Sequence, residues 1–94
     1  MKSVSILLDI FVESDQLGHV CAELASLPEV LDLYEVTGAA DLRALVTTES
    51  LSAFRDLLVC KILKIRGVKS TTSSVILFVC KRRLVASRTP TAEN

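Results

Sequence analysis

The chain has 94 residues, room for one domain and not two, and half of them are hydrophobic, ample for a core at that length. Eleven Lys and Arg cancel eleven Asp and Glu, so no global field draws the protein to nucleic acid or to an anionic membrane, and direct DNA binding is not expected. Cys21, Cys60 and Cys80 are odd in number, lack C-x-x-C spacing and sit among apolar neighbours, which reads as free, buried thiols. The single histidine, His19, is too far from them in sequence to build a zinc site and reads as a surface residue.

From the N-terminus, Val4, Ile6, Leu8, Ile10 and Val12 recur with period two, the pattern of a strand with one face in a core. The run contains Asp9 and ends at Glu13, too short and too charged for a membrane span or a signal h-region, so a cytosolic location is expected. The other face of this strand carries Ser5, Leu7, Asp9, Phe11 and Glu13, and two large apolar groups there suggest something more than solvent opposite them.

Ser14 and Asp15 suit a helix start, and Leu17, Val20, Leu24 and Leu27 recur at helical spacing until Pro28 stops the pattern. Val30 to Thr37 reads as a strand, the segment Thr37-Gly38-Ala39-Ala40-Asp41 as a turn, and Leu42 to Thr47 as the returning strand of a hairpin. Thr48, Glu49 and Ser50 offer capping oxygens and negative charge for a second helix, in which Leu51, Phe54, Leu58, Ile62 and Ile65 form one stripe capped by Gly67. A last strand is predicted from Lys69 to Cys80, centred on the apolar run Val75 to Val79. A polar, frayed tail is expected over 81–94, leaving a domain over 1–80.

The order is β-α-β-β-α-β, and a weak internal repeat supports it: a shift of 38 positions places Val20 on Leu58, Leu24 on Ile62, Leu27 on Ile65 and Val30 on Val68. Two such halves with right-handed crossovers predict an α+β, ferredoxin-like sandwich, a four-stranded antiparallel sheet with two helices on one face. The other sheet face is then bare. Leu7, Phe11, Leu31, Leu33, Leu45, Ile76 and Phe78 are assigned to it. At about 25 cal/mol per Å² of apolar area, leaving such a patch in water forgoes several kcal/mol. A second copy related by a two-fold axis is the simplest cover.

Catalytic signatures are absent: there is no P-loop, no G-x-G-x-x-G, no Ser/His/Asp or Cys/His grouping and no carboxylate pair around an apolar pocket. The sequence therefore predicts neither an enzyme nor a cofactor. What it does contain is Leu27-Pro28-x-Val30, then Tyr34-x-Val36-Thr37-Gly38-x-x-Asp41-Leu42, and later Gly67-Val68-x-x-Thr71-x-Ser73-x-x-Leu77. In order and spacing these resemble the effector domain, or RAM domain, of the Lrp/AsnC feast/famine regulators, over residues 1 to about 80. The chain begins at the first strand, where full-length members carry a helix-turn-helix domain, so the resemblance implies a stand-alone module.

That resemblance further implies homodimers joined through their sheets and rings of dimers such as octamers. A small amino acid is then expected at the contact between dimers, and transcription or metabolism is modulated through full-length partner regulators. The ligand residues it implies are Tyr34, Thr37, Gly38, Asp41, Leu42, Thr71 and Ser73. The chemistry is reasonable: a free amino acid needs N–H donors for its carboxylate and an acceptor for its ammonium, and a Gly38 turn beside Asp41 offers both. The same residues equally suit a plain turn, in which Asp41 bonds backbone and Tyr34 packs at the interface. Arg43 departs from the family pattern, and Asp41 or Glu35 is its expected partner. An interaction-only subunit without a ligand is the alternative reading, with a dimeric α+β barrel enzyme behind it, for which His19 and Tyr34 are the available groups.

Overall fold

The computed structural model of the chain describes residues 3–83. Its elements are β1 (Val4–Val12), a 3-10 turn (Ser14–Gln16), α1 (Leu17–Ala25), β2 (Val30–Glu35), β3 (Leu42–Thr48), α2 (Leu51–Cys60), a second 3-10 turn (Ile62–Lys64) and β4 (Val68–Val75). The strands form one antiparallel sheet in the order β2-β3-β1-β4, so the ferredoxin-like α+β arrangement expected from the element order is the fold.

The period-two pattern of β1 puts Ile6, Leu8, Ile10 and Val12 on the helix side, where they are buried with Leu42, Ala44 and Val46 of β3. Val20 and Leu24 of α1, Phe54 and Leu57 of α2 and Ile62 close the same cluster from above. Each of these side chains except that of Ala44 stabilises the fold by about 1.5–3 kcal/mol through removal of its surface from water.

α2 starts at a side-chain cap: Ser50 is extended, and its Oγ accepts from the Ala53 N–H at 3.0 Å. α1 has no such cap. The chain enters it through the 3-10 turn, and the Glu13 N–H donates instead to the Gly67 carbonyl at 2.8 Å.

Several expectations are corrected here. α2 ends at Cys60, not near Ile65, because Lys61 leaves helical backbone (φ −122°, ψ −58°); the following 3-10 turn returns Ile62 to the core. Leu51, at the first helical position, is exposed, and Leu57 takes a core place that the stripe omitted. Gly67 is not the cap of α2; it lies between the second 3-10 turn and β4 with φ +105°, and a Cβ there would strike the Cβ of Gln16. The thiols are free; Cys21 is half-buried and packs against the core, whereas Cys60 and Cys80 are exposed and not buried as expected. β2 ends at Glu35, short of Thr37.

β4 also departs from expectation. Its centre is the Ser/Thr stretch, and the apolar run follows the strand. The ladder on β1 runs from Val12 opposite Val68 to Ile6 opposite Val75, and the Ile76 N–H still donates to Ser5 O at 2.9 Å. The pairing stops there, one residue short of the start of β1 at Val4, and Leu77 and Phe78 continue with 93% and 78% of their surface exposed. Of the expected tail, 81–83 lack regular structure and 84–94 lie outside the described residues.

Candidate functional site

Two regions hold the predicted functional residues. The first is the sheet face away from the helices. Register places Ser5, Leu7, Asp9 and Phe11 of β1 there, beside Arg43, Leu45 and Thr47 of β3 and Ser70, Thr72 and Ser74 of β4. Leu7 (40% exposed) and Leu31 (59%) are open to solvent, and Phe11 and Ile76 are half-buried. Leu7, Leu31, Leu45 and Ile76 also line an open groove of about 930 Å³, walled on the other side by the exposed segment through Arg82.

Leu33 does not belong to this face. In β2, Val30 lies opposite Val46 but Asp32 lies opposite Leu45, so Leu31 is the extra residue of a bulge. The parity therefore reverses: Leu33, opposite Ala44, packs against the core, while Asp32 and Tyr34 turn outward. A one-residue slip of this kind is invisible to period counting.

At the centre of the bare face Asp9 and Arg43 are opposite residues of neighbouring strands. Arg43 Nε donates to Asp9 Oδ1 at 2.7 Å and Nη2 to Oδ2 at 3.2 Å. The expected pairing of Arg43 with Asp41 or Glu35 is thus corrected. Glu35, opposite Leu42, points to the other face, and the Asp41 carboxylate is engaged elsewhere. The hydrogen bonds from Arg43 hold the Asp9 carboxyl below the usual carboxylate range against the opposing effect of burial, and its positive charge adds to this; Asp9 in turn raises Arg43. Sequence reading placed both residues but missed the pair; opposite charges at outward parity on two strands of a hairpin-flanked sheet were the available signal.

The second region is the end of the sheet where β3 begins. Asp41 Oδ2 accepts from the Val12 N–H at 2.8 Å, the Asp41 N–H donates to Ile10 O at 3.1 Å, and Asp41 O accepts from the Val36 N–H at 3.1 Å. Asp41 therefore ties the turn to β1 on both sides. Thr37, Gly38 and Ala39 are exposed, and Gly38 has φ +111° with open space where a Cβ would lie. Thr71, opposite Ile10, is at the same end, but on β4, two strand spacings or about 10 Å from β3. Ser73, opposite Leu8, lies further along. The Leu42 side chain is wholly buried and faces the core, so only its backbone is available to a ligand; Tyr34 projects from the bare face opposite Arg43. The turn, Leu42 and Thr71 are thus brought to one end, with the Leu42 side chain turned into the core, while Tyr34 and Ser73 are set back along the sheet by one and two residues.

These features define a ferredoxin-like domain with one open sheet face and one open turn. A family model described as the Lrp/AsnC ligand binding domain matches residues 5–86, and the chain belongs to that family. It is 40% identical over 70 residues to an uncharacterised helix-turn-helix-type transcriptional regulator of Pyrococcus furiosus, covering 74% of this chain and 47% of that protein. Among solved structures, E. coli AsnC superposes with a TM-score of 0.83 at 26% identity, over 87% of this chain and 56% of that one. A feast or famine regulatory protein from M. tuberculosis, complexed with L-methionine, superposes at 0.73 with 29% identity, over 84% and 53% of the two chains. The chain thus spans about half the length of the curated relatives it matches. Among the described residues, no helix is long and apolar enough to cross a membrane.

Proposed function

We propose that the chain is a non-enzymatic, amino-acid-responsive regulatory module. It self-associates through the bare sheet face, takes a small amino acid where the Thr37 to Asp41 turn and the start of β4 meet a neighbouring dimer, and passes the change of assembly to transcription through partner regulators. The observation that carries this reading is the exposed turn around Gly38 at the same sheet end as Thr71, in the fold of a family with a methionine-bound member. The backbone N–H groups of the exposed residues Thr37 to Ala39 suit a carboxylate, and the second oxygen of Asp41 suits an ammonium group.

A thermal-shift panel of the common amino acids, L-methionine first, tests it. At a hundredfold excess over the dissociation constant a ligand adds about 2.7 kcal/mol, so at least one compound should raise Tm by about 10 °C or more, with a matching change of mass in light scattering. The use of Asp41 as a backbone acceptor favours a second reading, the interaction-only subunit. A flat panel with an intact dimer would select it and overturn the ligand.

A further inference from the structure

We infer that the Asp9–Arg43 pair is a charge lock that selects a second copy of this chain, in one orientation, as the partner of the bare sheet face. The inference rests on the self-association proposed above and adds what that association discriminates against.

The pair is the ion pair found among the described residues, and it sits on the outward face between Leu7 and Leu45 on one side and Phe11 on the other. An apolar partner surface would strip water from both ions with nothing to replace it, a costly exchange. A partner carrying one sign would meet one friend and one opponent. The face that satisfies both is a neutral one holding the same two charges with their positions exchanged.

A second copy supplies that face, because a two-fold interface sets each patch against itself. Orientation follows from the register. Asp9 and Arg43 are opposite residues on β1 and β3, so their charge separation runs across the strands. A two-fold axis parallel to the strands, between the two sheets, exchanges the sides of that dipole and lays each Asp9 toward the partner's Arg43. An axis perpendicular to the strands within the same plane lays aspartate toward aspartate and arginine toward arginine. Both axes align the sheets well enough to pack. Electrostatics separates them, and the bidentate geometry fixes the fork so that it does so reproducibly. The same logic disfavours a related chain with an uncharged or like-charged pair at these positions.

The experiment uses two single variants and the reciprocal double. Asp9→Lys leaves two positive charges on the face and Arg43→Glu leaves two negative ones. Each alone should self-associate about tenfold or more weakly than the wild type, since like charges are opposed across the interface. Mixed in equal amounts they should form a heterodimer of near wild-type affinity, seen by native mass spectrometry, and D9K/R43E should again form a homodimer. Circular dichroism of each single variant checks that it is folded, and the heterodimer is an independent check on the same point. Single variants that dimerise as the wild type does, or a mixture that gives no preference for the heterodimer, would overturn the lock while leaving the dimer standing. A wild type that is monomeric at all concentrations would overturn both, and would assign the face to a different protein.

Discussion

The side chain of Asp41 completes a ladder that the backbone of β3 leaves short. β3 pairs with β1 only as far as Leu42 opposite Ile10, and the next inward N–H of β1, that of Val12, finds the carboxylate instead. Asp41→Ala should therefore leave that N–H without its partner and destabilise the domain by about 1–3 kcal/mol, most of it recovered by Asp41→Asn, whose carbonyl still accepts. For a domain of this size that is a Tm loss of about 4–8 °C per kcal/mol, measurable by calorimetry without any ligand. The consequence for binding assays is direct: a weakened ligand response in Asp41→Ala has to be compared with the Tm of the same variant free of ligand. At this scale the sequence was partly legible. It marked Gly38, Asp41 and Arg43 as unusual, and left Asp41 open between ligand and backbone because a carboxylate near a turn serves either. The partner of Arg43 was not legible, since it lies 34 positions away on a strand whose register only the fold defines.

Among the elements, β1 was read correctly from its alternation, and so were the sites of both helices, because a buried face repeats every two or every 3.6 residues. The failures lie at element ends and at a bulge, which periodicity does not report. The apolar run after Val75 has a strand's composition, but its pairing with β1 stops at the Ile76–Ser5 bond, one residue short of Val4; α2 has a stripe reaching Ile65, but the chain leaves helical backbone at Lys61. Gly67 is the hinge of the entry into β4. Gly38 and Gly67 share a left-handed φ, so alanine at either carries strain of about 1–3 kcal/mol. Only at Gly67 does the new methyl also strike Gln16 and crowd Val20 Cγ2 at 3.1 Å. Gly67→Ala should accordingly lower the urea midpoint well beyond Gly38→Ala, and equal losses would show that the approach of the 3-10 turn at Ser14–Gln16 to β4 is not tight.

For the whole molecule, one sheet face is left uncovered by the helices as expected, but Leu7, Phe11 and Leu45 share it with Ser5, Asp9, Arg43, Thr47, Ser70, Thr72 and Ser74; Leu33 left it for the core, and Asp32 and Tyr34 joined it through the bulge at Leu31. The segment after β4 gives a measure of whether that face is covered in solution. Among the described residues the amides of Leu77, Phe78 and Val79 have no ladder partner, and they should exchange within seconds in dilute protein. If the groove they wall is filled by a second copy, hydrogen exchange followed by mass spectrometry should show them slowing as concentration rises through the dimer range. Exchange independent of concentration would place the segment outside the interface.

The two bulges carry a further consequence. The outer strands of the sheet are β2 and β4, and each is irregular: β2 at Leu31, and β4 where Val12 and Phe11 face Val68 and Ser70 with Lys69 between. Each also carries charge beside the irregularity, Asp32 on one and Lys69 on the other. Rims broken and charged in this way are poor templates for lateral strand addition. If a second copy covers the apolar groups of the sheet face, as proposed above, growth tends toward finite assemblies and away from fibres.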